Sequence, residues 1–189
     1  RLSRLARMAF CVGWPLAVGR QDLPLVFISR HGETPRTFEI LSDLAADQPL
    51  SPTHFSLSVH NAVIGLWSIM RGETSEMTAL AAAGDGLEHG MLEAAALLEE
   101  GAPAVLLIVT EEQPPSAYET WIDDVPFPYA VALLLTPGTD WQLSLNSTTQ
   151  RLSNAHWPHA LNLLRTLLGQ QSTCQHAWKN RVWTWHRTP

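Results

Sequence analysis

An apolar run at residues 25–28 leads into Arg30, His31, Gly32 and Glu33. A buried strand of this kind delivers the residues that follow it to the end of a sheet, where α/β folds place their chemistry. A histidine there can accept a phosphoryl group while the neighbouring arginine neutralises its oxygens. Such chemistry also needs a second histidine and further cations, because one arginine cannot hold a dianion in the transition state. Arg36, Arg71, His60 and His89 are available for that purpose, but no later segment supplies a matching second signature. Ser56, Ser58 and His60, with Asp43 or Asp85, form another set, the parts of a hydrolase triad. No G-x-S-x-G turn surrounds either serine, and Ser58 and His60 are two residues apart, which sends their side chains to different sides of a helix. Glu88 with His89, or His54 with His60, lacks the i,i+4 spacing and third ligand that a metal requires. The residues therefore imply no metal and no cofactor, and local hydrogen bonding is the plain alternative for each of these histidines.

The elements that must position these groups are α/β in order. Helical spacing covers residues 2–18, 35–46 and 51–70, and the Ala/Leu/Glu run at 87–100 closes on Gly101. A final helix is expected over 156–168. Continuous apolar runs predict buried strands at 23–29, 104–110 and 129–136, with an extended piece at 74–83. Alternation at 141–145 predicts one more strand, paired with 129–136 as a hairpin across Pro137 and Gly138. The Pro- and acid-rich segment 111–127 reads as a loop. From about residue 169 the chain reads as an irregular tail containing Trp178, Trp183 and Trp185, within one domain spanning 1–189.

Composition narrows the classes further. Eighteen acidic against twelve basic residues, net charge −6, carry no nucleic-acid footprint. No apolar run reaches the roughly 18–20 residues of a membrane span. Cys11 and Cys174 are far apart and form no C-x-x-C pair, which suits a reducing cytoplasm. The first residue is Arg1, and helical spacing begins at once, so the opening reads as the continuation of a longer segment; a basic amphipathic surface helix is the other reading of Arg1, Arg4 and Arg7.

Four segments carry a resemblance. They are FISRHGE at 27–33, LSPTHFSLSVHNAVIGLWSI at 50–69, LEAAALLEEG at 92–101 and FPYAVALLL at 127–135. Together they resemble the beta-ketoacyl synthase N-terminal-like family of chain length factors found in aryl polyene biosynthesis. The short RHGE match also resembles the signature of histidine phosphatases, with Arg30 and His31 as its working residues; a purely structural interaction domain is the third reading.

The longer resemblance implies a thiolase-like N-terminal half, a mixed β-sheet packed by helices, without the C-terminal half that supplies a ketosynthase's two basic groups. With the LEAAALLEEG helix laid on its ketosynthase counterpart, the nucleophilic cysteine falls at or near Gly84. A thiolate would be favoured there by the helix dipole. Glycine has no nucleophile, and Asp85 beside it would oppose a thiolate and is expected to cap the helix. Ser58, His60, Asn61 and Gly65 are implied as tunnel or subunit-contact residues. The implied function is that of a non-catalytic subunit. Its partner would be a catalytic ketosynthase in a heterodimer or larger assembly, with acyl carrier protein engaged indirectly.

Overall fold

The computed structural model describes residues 2–148 and 157–189. Its elements run α1 (Arg4–Ala17), β1 (Leu25–Ile28), α2 (Thr34–Ala45), α3 (Pro52–Ser56), α4 (Ala62–Arg71), β2 (Met77–Leu80), α5 (Gly86–Glu99), β3 (Val105–Glu111), β4 (Tyr129–Leu135), β5 (Trp141–Ser147), α6 (His159–Leu168), β6 (Thr173–Trp178) and β7 (Arg181–Arg187). Four strands form one mixed sheet in the order β2-β1-β3-β4, with β1 parallel to β2 and β3, and β4 antiparallel to β3. The other three form an antiparallel sheet, β5-β7-β6. No helix among the described residues is long and apolar enough to cross a membrane.

Every residue of β1 and β3 is buried, because the mixed sheet is covered on both faces. Leu25, Phe27, Leu106 and Ile108 point into one core with α1 and α4, where Phe10 and Trp67 meet edge to face at 5.2 Å. Val26, Ile28, Leu107 and Val109 point the other way, into a second core with α5, α6 and Trp185 of β7. The period-two alternation of a strand thus splits one apolar run between two cores.

Three expectations are corrected. The helix expected over 51–70 is two helices, with a turn between α3 and α4. Ser56 and Ser58 donate their hydroxyls to the carbonyls of Thr53 and Phe55, a local alternative to the helical ladder, while His60 bonds away to the body of the protein. The strand at 141–147 does not pair with β4. It pairs with β7, where Leu143 and Leu145 stand opposite Trp185 and Trp183, and such cross-strand aromatic pairs stabilise a ladder. The segment expected to be an irregular tail is the β6–β7 hairpin. The last helix begins at His159; its expected start at His156, like Arg1, lies outside the described residues.

Helix α5 lies close on β1 because Gly90 presents no side chain. A Cβ at this position would be 2.2 Å from Ile28 Cδ1 and 2.7 Å from Cγ1. Alanine would gain up to about 1 kcal/mol of helix propensity, whereas overpacking a filled core costs about 1–3 kcal/mol. We expect Gly90→Ala to lower the denaturation midpoint in wild type and to lose most of that effect in an Ile28→Ala background, which removes both clashing carbons, as read by urea titration.

Candidate functional site

The three parallel strands end together, and each end contributes a charged turn. After β1 comes the Ser29–Glu33 turn, after β2 the Gly84–Asp85 turn that opens α5, and β3 ends on Glu111. A cavity of about 930 Å³ opens at this edge, lined by Arg30, Gly84, Glu111, Asp124, His159, His176 and Trp178 among others.

Glu111 organises the first turn. Its carboxylate accepts the backbone N–H groups of Arg30 and His31 and the hydroxyl of Ser29, and the Ser29 hydroxyl oxygen in turn accepts the Gly32 N–H at 2.8 Å. Burial pushes the Glu111 carboxyl above the usual carboxylate range against these donors and the His31 charge. Gly32 has a φ of +55°, and His60 Cδ2 would lie 3.0 Å from any Cβ there, so the turn needs glycine twice over. His60 Nε2 donates to the Ser29 carbonyl at 2.7 Å and locks the turn from the other side.

Asp124, from the 111–127 segment, reaches Arg30 Nη1 at 2.8 Å and His31 Nε2 at 2.9 Å. Burial opposes its ionisation, but the His31 and Arg30 contacts outweigh that and hold it below the usual carboxylate range. The other groups available for phosphoryl transfer have partners of their own: Arg36 with Glu33, Arg71 over Trp14 and Trp67, His60 with Ser29, and His89 with the Asp85 carbonyl. His54 pairs with Glu39 at 3.5 Å. Among the described residues no cluster suited to a metal ion is found.

The second turn lies under the β6–β7 hairpin. Asp85 occupies the N-cap position of α5, but its side chain makes no capping bond, a departure from expectation. Instead its two oxygens take Arg181 Nε and Nη2 at 2.7 and 2.9 Å, and Trp183 Nε1 donates at 2.9 Å. Burial alone would raise the Asp85 pKa; Arg181 and Trp183 reverse that and hold it low. One turn on, fully buried Glu88 accepts from His159 Nε2 and from Trp185 Nε1. The His159 ring stacks on His176 at 3.8 Å, and His176 Nε2 donates to the Gly84 carbonyl at 2.7 Å. Trp178 lies on Gly84 itself: a Cβ there would be 2.3 Å from the indole Cε3 and 2.4 Å from Cζ3. The Arg30 guanidinium covers the same indole, 5.1 Å from the ring centroid, and so joins the two turns.

Sequence reasoning singled out Arg30, His31, Gly84 and Asp85, and the fold brings all four to this edge. Ser58, Asn61 and Gly65 lie outside it; Asn61 and Gly65 are exposed, on and just before α4. Glu111, Asp124, His159, His176, Trp178 and Arg181 were missed. The alternation of Trp183 and Trp185 with Thr184 and His186 was the signal for a strand, and a strand would have carried Arg181 with it.

Acid should loosen this hairpin. Burial, with the His159 charge beside it, depresses the His176 pKa, so its stabilisation is complete above the ordinary value of about 6.5 and is lost as pH falls below it. Glu88 is also depressed, its burial outweighed by His159 and His176, and its contribution is lost at still lower pH. Glu111, shifted upward by burial, acts in the opposite sense: its burial costs stability at high pH, and that cost is relieved as pH falls towards the ordinary carboxylate value. The melting temperature is expected to fall between pH 7 and pH 5, and His176→Gln, which keeps a donor for the Gly84 carbonyl, should flatten that fall. Arg181→Ala should cost about 1–3 kcal/mol by leaving the buried Asp85 carboxylate underpaired, measured by urea unfolding.

No curated protein sequence matches the chain. Its fold is similar to a chain in the structure described as "Ketosynthase (ApeO) in Complex with its Chain Length Factor (ApeC) from Xenorhabdus doucetiae", with a TM-score of 0.90 and 32% identity. That alignment covers 99% of this chain and 79% of the other, and it identifies the mixed sheet and its helices as a thiolase-like ketosynthase half. Residues 1–186 match the model of the beta-ketoacyl synthase N-terminal domain. The chain belongs to the beta-ketoacyl synthase N-terminal domain family.

Proposed function

We propose that this chain is a non-catalytic chain length factor. It pairs with a separate, catalytic beta-ketoacyl-ACP synthase in polyene or fatty-acid-type biosynthesis, in the cytoplasm, and shapes the cavity in which the acyl chain grows. The observation that carries this reading is the Trp178 indole packed on Gly84. At the turn where the resemblance puts the nucleophile there is no thiol and no space for one. Asp85 adds an anion beside that position, which would oppose a thiolate. The similarity to a chain of a ketosynthase and chain length factor complex supports the pairing.

Residues 1–189 would act as one ketosynthase-like domain. An inert subunit can still set the depth of a partner's tunnel, because side chains at the seam between subunits limit its length without touching the reacting atoms. Ser58, Asn61 and Gly65 are the residues proposed for that contact, with His60 holding the α3–α4 turn against β1 behind them. Acyl carrier protein would be met through the ketosynthase.

Native mass spectrometry of the untagged protein from its own host tests this, with a one-to-one complex with a full-length ketosynthase expected. A lone monomer or homodimer would contradict the reading. Within the complex, Gly84→Ala should cost about 1–3 kcal/mol by overpacking against Trp178, and Trp178→Ala in the same chain should relieve that cost. Gly84→Cys should acquire no acyl group from acyl carrier protein, as read by intact mass; acylation of that thiol would count against a blocked site.

A further inference from the structure

We propose that the stacked His159–His176 pair is an acid release for the cover over Gly84: a proton taken up by His176 moves β6, and Trp178 with it, off the turn that opens α5, while the two cores stay folded. The pair joins three elements, since His159 begins α6, His176 belongs to β6 and Glu88 comes from α5. Its rings are 11° from parallel with centroids 3.8 Å apart, and both are nearly buried. Gly84, His159, His176 and Trp178 all line the cavity at the strand ends, so movement of β6 widens that cavity at Gly84.

The charges around the pair leave a second proton uncompensated. On α5, Glu88 is bonded to His159 and Asp85 to Arg181 of β7, with His89 3.8 Å from Asp85. From the first turn Arg30 lies over Trp178, and within β6 itself burial pushes the Cys174 thiol up, so that it carries no charge. Each of the two anions already faces a cation, and a proton on His176 adds a positive charge 3.8 Å from His159. Two imidazolium rings at that distance repel, and the interior screens them poorly. Burial and the His159 charge outweigh the attraction of Glu88 and Asp85, which keeps His176 neutral while β6 is closed.

The element free to move is β6. It is an edge strand of its sheet, whereas β7 is central and carries Trp185 into the second core. The edge can therefore part from β7 without unpacking that core. His176 and Trp178, two residues apart on a strand, share a face, and both rest on Gly84. The closed position also leaves the Trp178 Nε1 buried with no hydrogen-bond partner among the described residues, a cost that water relieves once the ring is free. In the released strand His176 regains its ordinary pKa of about 6.5, so the closed form is fully favoured above that pH and the open form grows as pH falls below it.

Hydrogen–deuterium exchange of the full chain at about pH 7.5 and about pH 5.5, each rate divided by the intrinsic rate at that pH, tests the device. Protection over residues 173–178 is expected to fall about tenfold, the limit that one proton sets one unit below its pKa, while protection over 25–28 and 105–111 is unchanged. His176→Gln should abolish that fall, and His89→Gln should leave it in place. The part of the tryptophan emission that Trp178→Phe removes should become more open to acrylamide quenching at the lower pH. Equal loss of protection in all strands of the wild type would overturn a local release. A fall that survives His176→Gln would overturn the titrating group, and opening of β6 without a change at Trp178 would overturn the link to Gly84.

Discussion

Asp85 and Glu88 stand one turn apart at the start of α5 with no exposure to solvent, and a buried carboxylate is stable only when donors surround it. Nearly all the donors come from the C-terminal sheet and the helix before it: Arg181, Trp183 and Trp185 from β7, and His159 from α6. The hairpin is therefore fixed to the body of the protein by charge and hydrogen bonds as well as by apolar contact. Once it is fixed there, Trp178 and His176 on the neighbouring strand necessarily lie over Gly84. The blocked turn is a consequence of how two acidic residues are neutralised.

A second carboxylate does comparable work across the cavity. Glu111 gathers the N–H groups of the Ser29–Glu33 turn, as an external anion would in a binding loop, and so commits that turn to an internal partner. Arg30 and His31 then reach Asp124. Both turns singled out in the sequence are held by side chains of the same protein, Arg30 and His31 by Asp124 and Gly84 by Trp178 and His176.

Much of the architecture was legible in the sequence because burial leaves a pattern. The unbroken apolar runs of β1 and β3 reflect a sheet covered on both faces, and the Ala-rich run of α5 ends where a glycine stops it. The turn splitting residues 51–70 was less legible, since it depends on serine hydroxyls competing for carbonyls and on His60 reaching the Ser29 carbonyl 31 residues away. The pairing of β5 with β7 was not legible at all. Sequence proximity favoured β4, whereas the Trp183 and Trp185 ladder, some 40 residues downstream, provided the better partner.

By itself the sequence determined the α/β order, the two turns that contain Arg30 and Gly84, and the absence of a cysteine at the start of α5, because these are matters of residue type and local spacing. That the Trp178 ring lies against Gly84 was settled only in three dimensions. The Trp178 ring, Gly84 and the Arg30 guanidinium lie 94 and 54 positions apart in the chain yet in contact in space, and no local pattern encodes a contact between strand ends that different parts of the chain deliver.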